Sequence, residues 1–175
     1  MHLRRLTAAT FLLIGLTACS SLPRFVGITI NASPRTFSEV LADVTVPSGG
    51  SSTRNLVVRF VKLQPSTEWH SAFTTCIQGD DETRDVVCLL LSVRDGKVVP
   101  FRVVNSSVGS LIPERETLPG TYEVQDDFLL RVETDQRNVR FSLNGEQLFE
   151  LETVKHPKRI SFICSSAVCS VDVRP

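Results

Sequence analysis

The 175-residue sequence predicts an all-β fold, a two-sheet antiparallel β-sandwich. Three observations carry this reading. Short runs rich in Val, Leu, Ile and Phe recur at close intervals, and turn residues separate them. Two of those separators are Asp95-Gly96 and Asn144-Gly145, the dipeptides that suit type I′ hairpin turns because both positions need positive φ. No stretch beyond the first twenty residues repeats its apolar positions with a helical period.

The elements follow in order. Leu56–Leu63 (Leu-Val-Val-Arg-Phe-Val-Lys-Leu) is built of strong β formers in loose alternation. Ser71–Gln78 and Asp85–Arg94 flank Gly79–Arg84, which reads as a hairpin loop. Asp95-Gly96 turns the chain into a returning strand, Lys97–Asn105, where Pro100 suggests an edge or a bulge because it lacks an N–H. Phe128–Val132, a polar turn at Asp135–Asn138 and Val139–Leu143 come next, the last with period two. Asn144-Gly145 then leads into Gln147–Leu151, and Ile160–Cys164 and Val168–Val173 close the domain.

The beginning of the chain reads differently. Arg4 and Arg5 precede an apolar run from Leu6 to Leu16, and small residues follow. This is the pattern of a secretory signal over residues 1–18, its apolar run too short to span a bilayer, which takes ~20 residues. No later stretch is long and apolar enough for a transmembrane helix. Leu16-Thr17-Ala18-Cys19 resembles the lipobox of bacterial lipoproteins, which makes Cys19 a candidate for lipidation. Residues 19–27 form a short linker and 28–174 the sandwich. The expected location is therefore extracellular, with a bacterial envelope lipoprotein anchored through Cys19 as the alternative.

Export places the remaining cysteines in an oxidising compartment. Cys76, Cys88, Cys164 and Cys169 allow three pairings. Folding the hairpin about Glu82 sets Cys76 opposite Cys88, and Cys164 and Cys169 flank Ser-Ser-Ala-Val at hairpin-like spacing. The expected bridges are Cys76–Cys88 and Cys164–Cys169. A metal site is disfavoured, since neither a C-x-x-C nor a histidine at ligand spacing is present among His2, His70 and His156. No cofactor motif stands out either.

Charge narrows the partner. There are 19 Lys+Arg and 19 Asp+Glu, and without Arg4 and Arg5 the basic residues fall two short of the acidic. A nucleic-acid partner is excluded on this balance, because phosphate recognition needs a basic excess. At 42% hydrophobic content the chain can fill a core, so function must reside in a site.

From Phe128 to Val173 the sequence resembles the second half of a galectin domain. That family shows F-x-V-x-V-N-G and an aromatic-rich return strand, then a basic loop with Pro and two final strands. Here these stand as Val139-Arg140-Phe141-Ser142-Leu143-Asn144-Gly145, Leu148-Phe149-Glu150-Leu151, His156-Pro157-Lys158-Arg159, Ile160–Ile163 and Val171-Asp172-Val173. Asn55–Leu63, Phe73–Gln78 and Val87–Arg94 extend the likeness over roughly residues 28–174. The resemblance implies a jelly roll of the galectin and concanavalin A type, with glycans bound on its concave sheet. Partners would then be glycans or glycoproteins, β-galactosides among them.

Galectins carry H-x-N-x-R on one strand, Asn on the next, then W-x-x-E-x-R. The resemblance carries Arg94 and Asn105 onto the matching Arg and Asn, and Glu114 onto the matching Glu. Ser92 takes the place of the first Asn, Leu90 of the His, Leu111 of the Trp and Glu116 of the final Arg. Ser92, Arg94, Asn105 and Glu114 are the implied carbohydrate-binding set, and the departures imply altered or weakened galactoside specificity.

Each residue has a plainer reading. Arg94 flanks a turn, Glu114 follows Pro113, and Asn105-Ser106-Ser107 is an N-glycosylation sequon, as is Asn31-Ala32-Ser33. Glu150 and Glu152 have the i, i+2 spacing of paired catalytic carboxylates, but exposed glutamates on an outer strand usually form a solvated face. No nucleophilic triad stands out, and the sequence reads as non-enzymatic. A sandwich that binds proteins instead of sugars is the second functional expectation.

Overall fold

In the computed structural model, residues 26–43, 51–67, 69–79, 86–105, 114–135, 138–152, 157 and 159–174 are described. The signal, Cys19, most of the linker, the loop core 80–85 and the segment 106–113 lie outside them. The strands are β1 (Val26–Asn31), β2 (Phe37–Asp43), β3 (Ser52–Leu63), β4 (Ala72–Gln78), β5 (Val86–Arg94), β6 (Lys97–Asn105) and β7 (Glu114–Thr117). They continue as β8 (Tyr122–Glu123), β9 (Phe128–Thr134), β10 (Asn138–Leu143), β11 (Glu146–Glu152), β12 (Arg159–Ser165) and β13 (Ala167–Arg174).

Two antiparallel sheets form the sandwich. One has six strands in the order β1-β13-β3-β9-β10-β11; the other has seven, β2-β12-β4-β5-β6-β7, with β8 also paired to β6. Alternation decides what each strand buries. Phe128, Leu130, Val132, Val139, Phe141 and Leu143 from the first sheet meet Phe73, Ile77, Leu89, Leu91, Ile160 and Phe162 from the second in one core. Each such side chain stabilises the fold by about 1.5–3 kcal/mol when removed from water.

Both glycine turns form as the sequence implies. Asp95 and Gly96 have φ of 49° and 76°, and Asn144 and Gly145 have 52° and 88°. Asn144 adds a hydrogen bond, its Oδ1 accepting from the Leu129 N–H at 2.9 Å, which ties the turn to β9. Pro100 requires a correction, for β6 lies inside its sheet. The Pro100 carbonyl accepts from the Leu118 N–H at 2.9 Å, so its nitrogen points the same way. That side is where the neighbouring strand breaks between β7 and β8, and the missing N–H costs no ladder bond.

The disulfides have different roles. Cys76 and Cys88 are register partners on β4 and β5, so their bridge crosses neighbouring strands of one sheet. Cys164 and Cys169 lie on β12 and β13, which belong to opposite sheets, and their bridge joins the two layers through the core. The chain passes between layers at Ser166, whose φ of 44° makes a sharp corner. Ser71 donates its hydroxyl to the Ser166 carbonyl at 2.6 Å, and the Ser166 hydroxyl accepts from the Arg35 N–H at 2.9 Å. Both bridges suit an oxidising compartment.

Candidate functional site

The seven-stranded sheet turns Phe73, Ile77, Leu89 and Leu91 into the core, so alternate residues face outward. On β5 the outward set is Val86, Cys88, Leu90, Ser92 and Arg94. On β6 it is Lys97, Val99, Phe101 and Val103, because Arg94 pairs with Lys97 and Leu90 with Phe101. On β7 it is Arg115 and Thr117, opposite Val103 and Phe101.

This register brings together some of the residues implied by the sequence and separates others. Arg94 and the backbone position of Asn105 share the outward face, and Arg94 is exposed. Ser92 shares the face but is only 3% exposed, so its hydroxyl is closed off from a ligand. Glu114 pairs with Val104, which places it on the opposite side of the sheet from Arg94. The displacement follows from alternation: one step along β7 exchanges Glu114 for Arg115. Leu111, Ile112 and Pro113 lie outside the described residues.

Two residues that the resemblance did not supply organise this corner. Phe101 is 4% exposed although it points away from the core. The guanidinium of Arg94 lies over its ring, 4.7 Å from the centroid, and that of Arg115 lies 4.2 Å from the same centroid. A guanidinium in such a position is attracted by the ring quadrupole. Burial lowers the Arg115 pKa below its ordinary value, and repulsion from Arg94 adds to the lowering. Among the described residues neither cation has a carboxylate partner; Lys97, cross-strand from Arg94, is itself paired with Glu123. The alternation of Phe101 with Arg102 and of Arg115 with Glu116 was the signal available in the sequence.

The centre of the same face is closed. Ser161 is 0%, Cys76 4% and Cys88 7% exposed, so the exposed charged side chains of this face lie toward its edges, Arg94 and Arg115 at one and Arg159 and Glu39 at the other. Trp69 is exposed in the β3–β4 connection, and Tyr122 packs edge-on against Phe128 at 6.2 Å. On the six-stranded sheet Glu150 is engaged by Arg140 at 2.8 Å, which is the behaviour of a surface ion pair. Among the described residues no cluster of His, Cys, Asp and Glu could hold a metal ion, and no helix is long and apolar enough to cross a membrane.

No family model matches the chain, and no curated protein matches it in sequence. Solved structures do match in fold. A galectin of Caenorhabditis elegans, LEC-6, superposes with a TM-score of 0.50 at 17% identity, over 85% of this chain and 96% of that one. A double variant of human galectin-16 gives 0.51 at 14% identity, over 78% and 94%. A structure described under endo-acting O-glycanases of the human gut microbiota gives 0.52 at 14%, over 85% and 76%. The chain has a galectin-like β-sandwich fold.

Proposed function

We infer that this protein binds glycans at the outward face of its seven-stranded sheet, without acting on them chemically. The observation that carries the reading is the exposed corner where Arg94 and Arg115 both contact the Phe101 ring. Guanidinium groups offer several fixed donors, which suits a ligand dense in oxygen acceptors. The likeness to galectins supports the same reading by analogy of fold, and fold by itself does not give function. Asn105, on the same face of β6, belongs to the proposed site. Ser92 and Glu114 do not, for burial and for strand alternation respectively.

The engagement of Glu150 by Arg140 supports binding over catalysis. Secretion belongs to the proposal as well, on the signal-like start and the two bridges. Mass spectrometry of the mature amino terminus distinguishes a free secreted chain from one lipidated at Cys19. A glycan array with lactose competition tests the binding itself. The expected result is a glycan signal that Arg94→Ala abolishes. Binding unaffected by that substitution would move the site elsewhere, and silence across the array would favour a protein-binding sandwich.

A further inference from the structure

Two sets of arginines contrast among the described residues. Arg59, Arg102, Arg131 and Arg140 each have a carboxylate at 2.5–2.8 Å, respectively Asp127, Glu116, Glu133 and Glu150. Arg94 and Arg115 have none among the described residues, although they lie over one ring. No more than the sum of their two centroid distances separates the two guanidinium carbons. The carboxylates nearest in register are otherwise engaged or face elsewhere: Glu123 pairs with Lys97, Glu116 with Arg102 on the opposite side of the sheet, and Glu114 lies on that side too.

Phe101 explains why two like charges are held together. The ring attracts both cations, Arg94 from β5 and Arg115 from β7 on the two sides of β6, and removes part of their hydration, while its burial leaves little of the ring for stacking on a ligand. A guanidinium seated over a ring keeps N–H groups available for a forked hydrogen bond. An anion that spans the outer surface of the ring to reach both would relieve their mutual repulsion and gain charge-assisted bonds from both.

We propose that the Arg94–Arg115 corner is a subsite for the acidic group of a charged glycan, a sugar carboxylate or sulfate ester. This rests on the glycan-binding reading and names its ligand class. Selectivity resides in the negative group; the neutral sugar ring contributes secondary contacts. The preference is therefore salt-sensitive, since exposed charges are screened within about 8–10 Å at physiological ionic strength.

The test uses the purified full chain titrated calorimetrically with polygalacturonate, a sulfated galactan and a neutral galactan, at roughly 0.05 and 0.5 M salt. One or both acidic polymers should bind at least about tenfold tighter than the neutral one, a difference of about 1.4 kcal/mol. Which acidic polymer binds identifies carboxylate or sulfate. Arg94→Gln and Arg115→Gln should each remove most of that preference, and Arg115→Lys should restore part of it. Arg131→Gln, on the other sheet, is the charge-matched control and should leave the preference intact. Circular dichroism confirms that each variant is folded. Equal binding of all three polymers, unchanged by either glutamine variant, overturns the acidic subsite and leaves glycan binding standing. An equal loss in the Arg131→Gln control reveals nonspecific attraction and overturns the subsite. No binding to any polymer overturns both readings.

Discussion

On the outer face of the six-stranded sheet, Arg59 is held by Asp127 at 2.6 Å and Asp172 at 2.8 Å, and Arg140 by Glu150 at 2.8 Å and Glu133 at 3.5 Å. On the seven-stranded sheet, Arg94 and Arg115 rest on Phe101 with no such partner among the described residues. Both faces come from the same alternating β pattern, so the pattern does not separate them. Cross-strand neighbours do. On the first face Arg140 stands cross-strand from Glu150 and Glu133, and Asp127 and Glu133 reach Arg59 and Arg131, so those charges cancel locally. On the second, Arg94 meets Lys97, and Arg115 meets Val103. Cancelled charges make a solvated wall, whereas uncancelled charges on a covered ring remain available to a ligand.

Several experiments press on this contrast. The largest effect is expected from Phe101→Ala. The ring is nearly as buried as a core residue, so its loss should cost about 3–5 kcal/mol in chemical denaturation, although it points outward. A cost below about 1 kcal/mol would mean that the ring is only a surface ornament of β6. Removing the bridges comes next. Chain entropy assigns about 3 kcal/mol to Cys76–Cys88, with a separation of 12, and about 2 kcal/mol to Cys164–Cys169, with a separation of 5. If the double alanine variant at Cys164 and Cys169 is the less stable, inter-layer packing outweighs loop closure.

A smaller change, in the opposite direction, is expected at Thr75. Its Oγ1 is buried without a hydrogen-bond partner among the described residues, and Thr75→Val should raise the unfolding free energy by about 1 kcal/mol. The smallest effect belongs to the paired face. The hydrogen bond from Arg59 holds the Asp127 carboxyl below its usual range, with the Arg59 and Arg174 charges adding to it. Its stabilisation is thus present above the ordinary carboxylate pKa and lost as pH falls through the lowered value. Both partners are exposed, so Asp127→Asn should shift thermal unfolding only slightly at neutral pH, and less in high salt. A large shift would place stability, and not only neutrality, in that ion-pair network.

How much of this was legible depends on the range of the signal. The strand pair β5–β6 ends where Asp95-Gly96 demands, and β10–β11 where Asn144-Gly145 demands. Cys76 pairs with Cys88 because a hairpin fixes register over a few residues. Strands β1, β2, β7 and β8 carried weaker signals: β7 is exposed throughout and shows no buried alternation. Pro100 looked like an edge residue, since nothing local reveals that the neighbouring strand is interrupted beside it.

The sequence by itself therefore determined the β class, the turns and the disulfide pairs. Those depend on period-two alternation, turn φ requirements and short loops, all properties of neighbouring residues. Only the tertiary structure decided that β12 lies between β2 and β4, that Cys164–Cys169 joins two layers, and that Arg115 rather than Glu114 shares a face with Arg94. Each is a matter of register between segments distant in sequence. A one-residue step in register exchanges every side chain from one face of a strand to the other.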